Sequence, residues 1–161
     1  AKESPQFPLF VKPFNGNGGN DTFVVLNKEE LRKEWVEDPR FLFFDYIDPG
    51  KYKEFSIDIY YSRNGELCCG VPRERLQTRT GEVMKSITVR HPVFNEVIQK
   101  LSLESGASGI INLQVFVSND FTRIFGIEIN PRCGGGFPLT EEAGGTFVQW
   151  LIQEVFLALV Y

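Results

Sequence analysis

Residues 111–132 read INLQVFVSNDFTRIFGIEINPR, and this stretch decides the fold. Two apolar strand patterns, Ile110 to Val117 and Arg123 to Asn130, flank Asn119-Asp120 as a hairpin. Side chains alternate along a strand, so Asn112 and Gln114 point one way while Ile111, Leu113 and Val115 point the other. Glu128 and Asn130 likewise share a face, opposite Ile127 and Ile129. A loop at 120–122 sets Gln114 directly across from Glu128, and a register shifted by two leaves them diagonal neighbours about 7–8 Å apart. A carboxylate, two amide oxygens and the following Arg132 therefore converge. Oxygen donors without His or Cys select a hard cation such as Mg²⁺, which takes one or two carboxylates together with the oxygens of a phosphate chain. An exposed sheet face with ordinary polar residues accounts for the same letters.

Working outward, Pro8 to Pro13 and Thr22 to Leu26 read as a hairpin around the loop FNGNGGND, Phe14 to Asp21. Asn27 and Glu30 have capping-box spacing, and Leu31 and Trp35 share a face, which predicts a helix of about ten residues. Strand patterns follow at Phe41 to Ile47, Phe55 to Ser62 and Leu67 to Val71, read as one antiparallel sheet. The last two are joined by a two-residue Asn64-Gly65 turn. Arg73 to Arg90 is polar and basic with a short strand-like end, and Pro92 to Ser105 carries Val93, Val97, Ile98 and Leu101 at helical spacing. A glycine-rich loop then leads into a docked helix, Phe147 to Tyr161. The predicted class is α+β with antiparallel sheets.

Composition narrows the chemistry. The 161 residues are 42% hydrophobic and 24% charged, the balance of a soluble domain with its own core. The net charge of −4 supplies no overall basic field for nucleic acid or an anionic membrane. The stretch Phe147 to Tyr161, interrupted by Gln149, Gln153 and Glu154, is too short for a span of about 20 residues. The opening AKESPQFP lacks the apolar run of a signal peptide, so a cytoplasmic location is expected. Three Cys and one His make neither a disulfide framework nor a zinc set. The chain opens almost directly on its first strand and is expected to be a fragment of a longer protein, truncated at its N-terminus. The uncovered edge of that strand invites pairing with a second copy as a homodimer.

Two further segments carry candidate chemistry. Gly16, Gly18 and Gly19 lack Cβ atoms, so their N–H groups can approach phosphate oxygens, and Lys12 places a charge at the end of the preceding strand. The spacing is not that of the Walker A motif, and a flexible Asn/Gly hairpin loop explains the letters equally. In FLFFDYIDPGKYKEFSID, Phe41 to Asp58, a free strand edge at Asp45-Tyr46-Ile47 could take an adenine ring, with Glu54 accepting from ribose hydroxyls. A plain hairpin fits too. His91 reads as a surface or helix-start residue rather than a base, and Cys133 as a passive small side chain unless its pKa is lowered.

Taken in order, these segments resemble the nucleotide-binding core of the ATP-grasp superfamily, closest to the branch of the carbamoyl phosphate synthetase large subunit. The similarity is strongest at Gln114 and at Glu128-Ile129-Asn130-Pro131-Arg132. It implies that Gln114, Glu128 and Asn130 bind Mg²⁺ (or Mn²⁺) and that Arg132 faces the transferred phosphate. It extends to Val11-Lys12-Pro13, whose Lys touches nucleotide phosphates in the family, and to Gly18-Gly19 in the loop that closes over them. Asp45 to Ile47 matches the adenine-binding linker, with Asp where the family usually has Glu, and Glu54 falls on the ribose-binding carboxylate. Thr80-Gly81-Glu82 through Ser86-Ile87-Thr88-Val89 makes Arg79 and Lys85 candidates for phosphate or substrate contact.

The resemblance implies two antiparallel-sheet subdomains with flanking helices that sandwich the nucleotide. A lid-like part would occupy 1–46 and a larger part with the metal site 47–161. The implied activity is an ATP-dependent carboxylate-amine, or carboxylate-thiol, ligase working through an acylphosphate on small-molecule carboxylate and amine substrates. The alternative is a nucleotide-binding module without independent ligase activity. The family's usual amino-terminal domain is not in this sequence, so an upstream domain of the same protein is expected as a partner.

Overall fold

The structure is a computed structural model that describes residues 6–16 and 21–157, the side chains of 102–105 excepted. The chain divides into two compact units, Ala1–Pro49 and Gly50–Tyr161. Each is built on its own antiparallel sheet, as the α+β reading requires.

In the first unit β1 (Leu9–Pro13) lies between β2 (Phe23–Val25) and β3 (Phe41–Asp45). Leu9, Val11 and Val25 turn inward onto Trp35, and Phe23 stacks on that indole at 4.5 Å. The expectation that β3 joins the strands after it is corrected. It pairs with β1 from Leu9↔Asp45 to Pro13↔Phe41, a register in which Phe41 packs on the Trp35 cluster.

The ten-residue helix is corrected too. The cap forms, with Glu30 N–H donating to Asn27 Oδ1 at 3.2 Å and Leu26 N–H to Glu30 Oε2 at 2.9 Å, but it closes only a 3₁₀ turn, Lys28–Glu30. Leu31 and Arg32 are extended, and α1 is the short Lys33–Glu37. A helix this short is held by packing rather than propensity. Leu31 and Trp35 both pack in the cluster despite the break, and the Arg32 guanidinium lies 4.8 Å from the Trp35 ring.

The second unit has the strand order β6-β5-β4-β7-β8, from β4 (Tyr52–Tyr61), β5 (Leu67–Arg79), β6 (Glu82–Thr88), β7 (Gly109–Ser118) and β8 (Ile124–Asn130). The odd-numbered residues Phe55, Ile57, Ile59 and Tyr61 of β4 and Ile111, Leu113, Val115 and Val117 of β7 form one face. Phe94 and Ile98 of α2 (Pro92–Ser105) cover it. Gly70 permits that approach, since a Cβ there would stand 2.5 Å from Ile98 Cδ1. The α2 helix spans the predicted residues, with Val93 N–H donating to His91 Nδ1 at 3.3 Å and Gly106 left-handed at its end (φ 56°).

Three local expectations change. Residues 73–90, read as a polar, basic stretch with only a short strand-like end, belong for most of their length to the β5–β6 hairpin, turned at Thr80 and Gly81 with φ of 49° and 80°, the signature of a two-residue type I′ turn. The turn at Asn64-Gly65 instead uses three residues. Ser62 N–H donates to Glu66 O at 2.8 Å, and only Gly65 of the Asn-Gly pair is left-handed (φ 82°). A short helix, α3 (Phe137–Glu142), precedes α4 (Phe147–Phe156), and residues 158–161 of the expected terminal helix lie outside the described residues. Phe137 and Phe147 pack on Tyr60, on the sheet face opposite α2. Among the described residues no helix is long and apolar enough to cross a membrane.

Candidate functional site

The sheet face turned away from α2 carries the polar side chains. Glu54, Ser56 and Asp58 alternate out of β4 on that side, and the ladder pairs Ser56 with Gln114 and Asp58 with Asn112. Across β7, Gln114 stands opposite Glu128 and Asn112 opposite Asn130. Directly opposed residues share a face, so these side chains lie together. The pairing at the turn is offset, Val117↔Ile124, and a bulge between Gln114 and Val115 absorbs the extra residue and restores the register at the polar pair.

The exposed end of this face is cross-linked. Asn130 Nδ2 donates to Glu128 Oε1 at 2.9 Å, Arg132 Nη2 reaches Asn130 Oδ1 at 3.4 Å, and Arg132 Nη1 donates to Cys133 O at 3.0 Å. Among the described residues no three His, Cys, Asp or Glu side chains gather as a metal cluster. One carboxylate beside two amides suits a hard cation that completes its shell with phosphate oxygens, so these residues fit Mg²⁺ bound together with a nucleotide. Burial pushes the Cys133 thiol up, and the Asp58 charge adds to the rise, so the thiol stays protonated beside Arg132.

Beside that end, on β4, β5 and β7, lies a network that sequence reasoning missed. Arg73 and Asp58 are fully buried and joined by Nη2 to Oδ2 at 2.6 Å and Nε to Oδ2 at 3.1 Å. Thr140 Oγ1 donates to the same oxygen at 2.6 Å, and Asn112 Nδ2 donates to Asp58 Oδ1 at 2.6 Å. The chain after Arg132 closes directly over it. A Cβ on Gly134 would stand 2.5 Å from Asn112 Nδ2, and one on Gly136 would collide with Arg73 Nη1. The signal was present in the sequence. Glu54, Ser56 and Asp58 interrupt an apolar strand at every second position, as Asn112 and Gln114 do in β7.

Glu54 also reaches this face. Its Oε1 pairs with Arg75 Nη1 at 3.0 Å, and Arg75 Nη2 donates to Gly81 O at 2.6 Å. Burial pushes the Glu54 carboxyl up, the Arg75 guanidinium pulls it back, and the Glu128 carboxylate adds to the rise. Arg79, paired with Glu82, and Lys85, paired with Gln77, lie exposed at the far end of the hairpin, and the register does not bring them to Glu128.

In the first unit Lys12 sits opposite Leu42, with its ammonium 5.3 Å from the Phe44 ring. Asp45 ends β3, an edge strand of its sheet, and Tyr46 N–H donates to Pro8 O at 3.4 Å, while Ile47 follows half-buried. Gly18 and Gly19 lie outside the described residues. His91 caps α2 and stacks on Phe121 at 4.3 Å.

The two antiparallel sheets, of three and five strands, belong to an ATP-grasp domain, the class that the family match to most of the chain establishes. The chain belongs to the family described as "ATP-grasp in the biosynthetic pathway with Ter operon", whose model matches residues 37–157. It is similar to the carbamoyl phosphate synthase large chain of Vibrio cholerae serotype O1, 23% identical across 86% of this chain and 14% of that one. The chain thus spans about a seventh of the length of that curated relative.

Among solved structures it resembles the biotin carboxylase domain dimer of Hydrogenobacter thermophilus 2-oxoglutarate carboxylase, in complex with MgADP, ADP and bicarbonate. The TM-score is 0.76 at 20% identity, covering 92% of this chain and 36% of that one. It also resembles the Staphylococcus aureus N5-carboxyaminoimidazole synthetase complexed with ADP, with a TM-score of 0.68 at 18% identity over 84% of this chain and 37% of that one. At these identities the solved structures speak for the fold alone.

Proposed function

We propose that the chain is the nucleotide- and metal-binding part of an ATP-dependent ligase that activates a small carboxylate and joins it to an amine or thiol. The observation that carries this reading is the placement of Glu128 across from Gln114, with Asn130 on the same face, beside a fully buried ion pair on the neighbouring strands. Family membership supports it, as does the likeness to a carbamoyl phosphate synthase large chain.

A carboxylate is a poor electrophile. Moving the γ-phosphoryl of ATP onto it gives an acylphosphate, from which phosphate leaves when the amine or thiol attacks the carbonyl carbon. Such transfer is dominated by positioning and charge neutralisation, so no side-chain nucleophile is required. Gln114, Glu128 and Asn130 would hold Mg²⁺ or Mn²⁺, whose contribution when bound is to neutralise charge between phosphate oxygens.

Arg132, which already touches Asn130, steadies the migrating phosphoryl, and Arg79 and Lys85 contact phosphate or substrate. Glu54 accepts from the ribose hydroxyls. In the first unit Lys12, Gly18 and Gly19 hold the phosphates and Asp45 to Ile47 the adenine, which makes 1–46 the lid-like part and 47–161 the metal-bearing part.

The test is Glu128→Ala in the full-length protein, assayed for Mg²⁺-dependent ADP release across a set of carboxylates and amines. Loss of all substrate-dependent ADP release with an unchanged circular dichroism spectrum is expected. Retained turnover overturns the assignment.

A further inference from the structure

Arg75 is the most deeply buried charge on the polar face that has no place in the reading above. Its side chain is 4% exposed, against 29% for Glu54, the carboxylate that it meets. A guanidinium withdrawn this far from water is stable only where an acceptor or counter-charge replaces the lost hydration. Arg75 has two such partners. Nη1 lies 3.0 Å from Glu54 Oε1, and Nη2 donates to the carbonyl of Gly81 at 2.6 Å, while Nε is buried without a partner among the described residues.

Gly81 is the second residue of the I′ turn, with a φ of 80°, and its carbonyl accepts from a side chain six residues back on the preceding strand of the same hairpin. The planar fork of Arg75 is therefore fixed on one side by the turn of its own hairpin and presents its other arm to β4.

This arrangement leaves Glu54 half committed. Oε1 is taken by the guanidinium, so Oε2 is the oxygen with which the carboxylate would meet a ligand donor. A Glu at a half-exposed position has several rotamers, and holding one oxygen at a fixed cation removes most of that freedom before a ligand arrives. The Glu128 carboxylate raises the cost of a free negative charge at Glu54, and Arg75 offsets it.

We propose that Arg75 is a positioning residue for nucleotide recognition: it clamps Oε1 of Glu54, braced by the Gly81 carbonyl, so that Oε2 is held ready to accept from the ribose hydroxyls. The inference rests on the assignment of Glu54 to the ribose, and its test separates the two.

The dissociation constants of Mg-ATP and Mg-2′,3′-dideoxy-ATP are measured by calorimetry for the full-length protein and for Glu54→Gln, Arg75→Met and Arg75→Lys. A hydrogen bond to a charged acceptor gives the unsubstituted protein a preference for ATP on the order of tenfold or more. Arg75→Met is expected to lose most of that preference by weakening ATP while leaving the dideoxy compound unchanged. Arg75→Lys, which keeps the charge beside Glu54, is expected to restore part of it.

If Glu54→Gln loses the preference and Arg75→Met keeps it, Arg75 does not act through Glu54 and the proposal fails alone. Equal weakening of both nucleotides by Arg75→Met shows a merely structural residue and also overturns it. If Glu54→Gln keeps the preference, the ribose assignment falls and takes the proposal with it. Should Arg75→Met fail to melt cooperatively, Arg75→Gln, uncharged and unable to span both partners, carries the same expectation.

Discussion

Arg73 and Asp58 form an ion pair with both side chains at 0% exposure, Nη2 to Oδ2 2.6 Å, on the two strands next to the β7–β8 pair that carries Glu128 and on the same face of the sheet. Removing one member of such a pair strands the other charge in a medium that cannot solvate it. Arg73→Met should therefore lower stability by about 3–5 kcal/mol, read from urea unfolding, and the paired change Arg73→Met with Asp58→Leu should recover much of the loss. A double variant no more stable than the single one would show that Asp58 is solvated after all.

The close cover over this pair makes a second expectation. Gly136 has no room for a methyl group beside Arg73 Nη1, and at Gly134 the added Cβ would press on the Asn112 amide. Gly136→Ala and Gly134→Ala should each cost about 1–3 kcal/mol through forced displacement of a packed neighbour. Gly135→Ala, where an added Cβ meets nothing within 4 Å, should cost far less. Thermal melts of the three variants decide the point, and equal effects at all three would argue for backbone freedom as the cause.

The period-two strands were legible because each polar interruption repeats on the same parity, so Asn112 with Gln114 and Glu128 with Asn130 each read as one face, but Gln114 meets Glu128 only because a bulge corrects the offset set at the turn, and no letter marks that bulge. Long-range choices were not legible. Nothing local in Phe41–Asp45 says that it will pair with β1 rather than with the next strand, since its partner is decided by Phe41 reaching the Trp35 cluster. The turns misled for a similar reason. Asn-Gly favours a two-residue I′ turn, but here Gly65 alone takes positive φ and closes a wider loop, while the less suggestive Thr80-Gly81 makes the tight one. Of the network beside the site, the sequence shows Asp58 as an oddity in an apolar strand. That Arg73 and Thr140 meet it requires the register of β5 and the position of α3.

Asp120 should shape the acid limb of stability. Hydrogen bonds from Ser118 Oγ, Thr122 Oγ1 and Thr122 N–H hold its carboxyl down at about 2, against an ordinary 3.8. A depressed folded value means that the stabilisation is fully present above the unfolded value and disappears as pH falls through the folded one. The difference in melting temperature between the parent and Asp120→Asn should be constant above about pH 5 and close between about pH 4 and 2. A difference that persists unchanged to pH 2 would mean that the charge plays no part.

Gln114→Glu tests the face relationship itself, independently of turnover. It places a second carboxylate directly opposite Glu128, and like charges at an opposed pair are destabilising by about 0.2–1 kcal/mol, so the melting temperature in chelator should fall slightly. A divalent cation reverses the sign of that effect, because two carboxylates at one point raise the affinity of an oxygen site. Titration with Mn²⁺ should therefore raise the melting temperature of Gln114→Glu more steeply than that of the parent, following the logarithm of ligand over dissociation constant. An equal Mn²⁺ response in the parent and Gln114→Glu would mean that the two side chains do not share an ion, whatever their register.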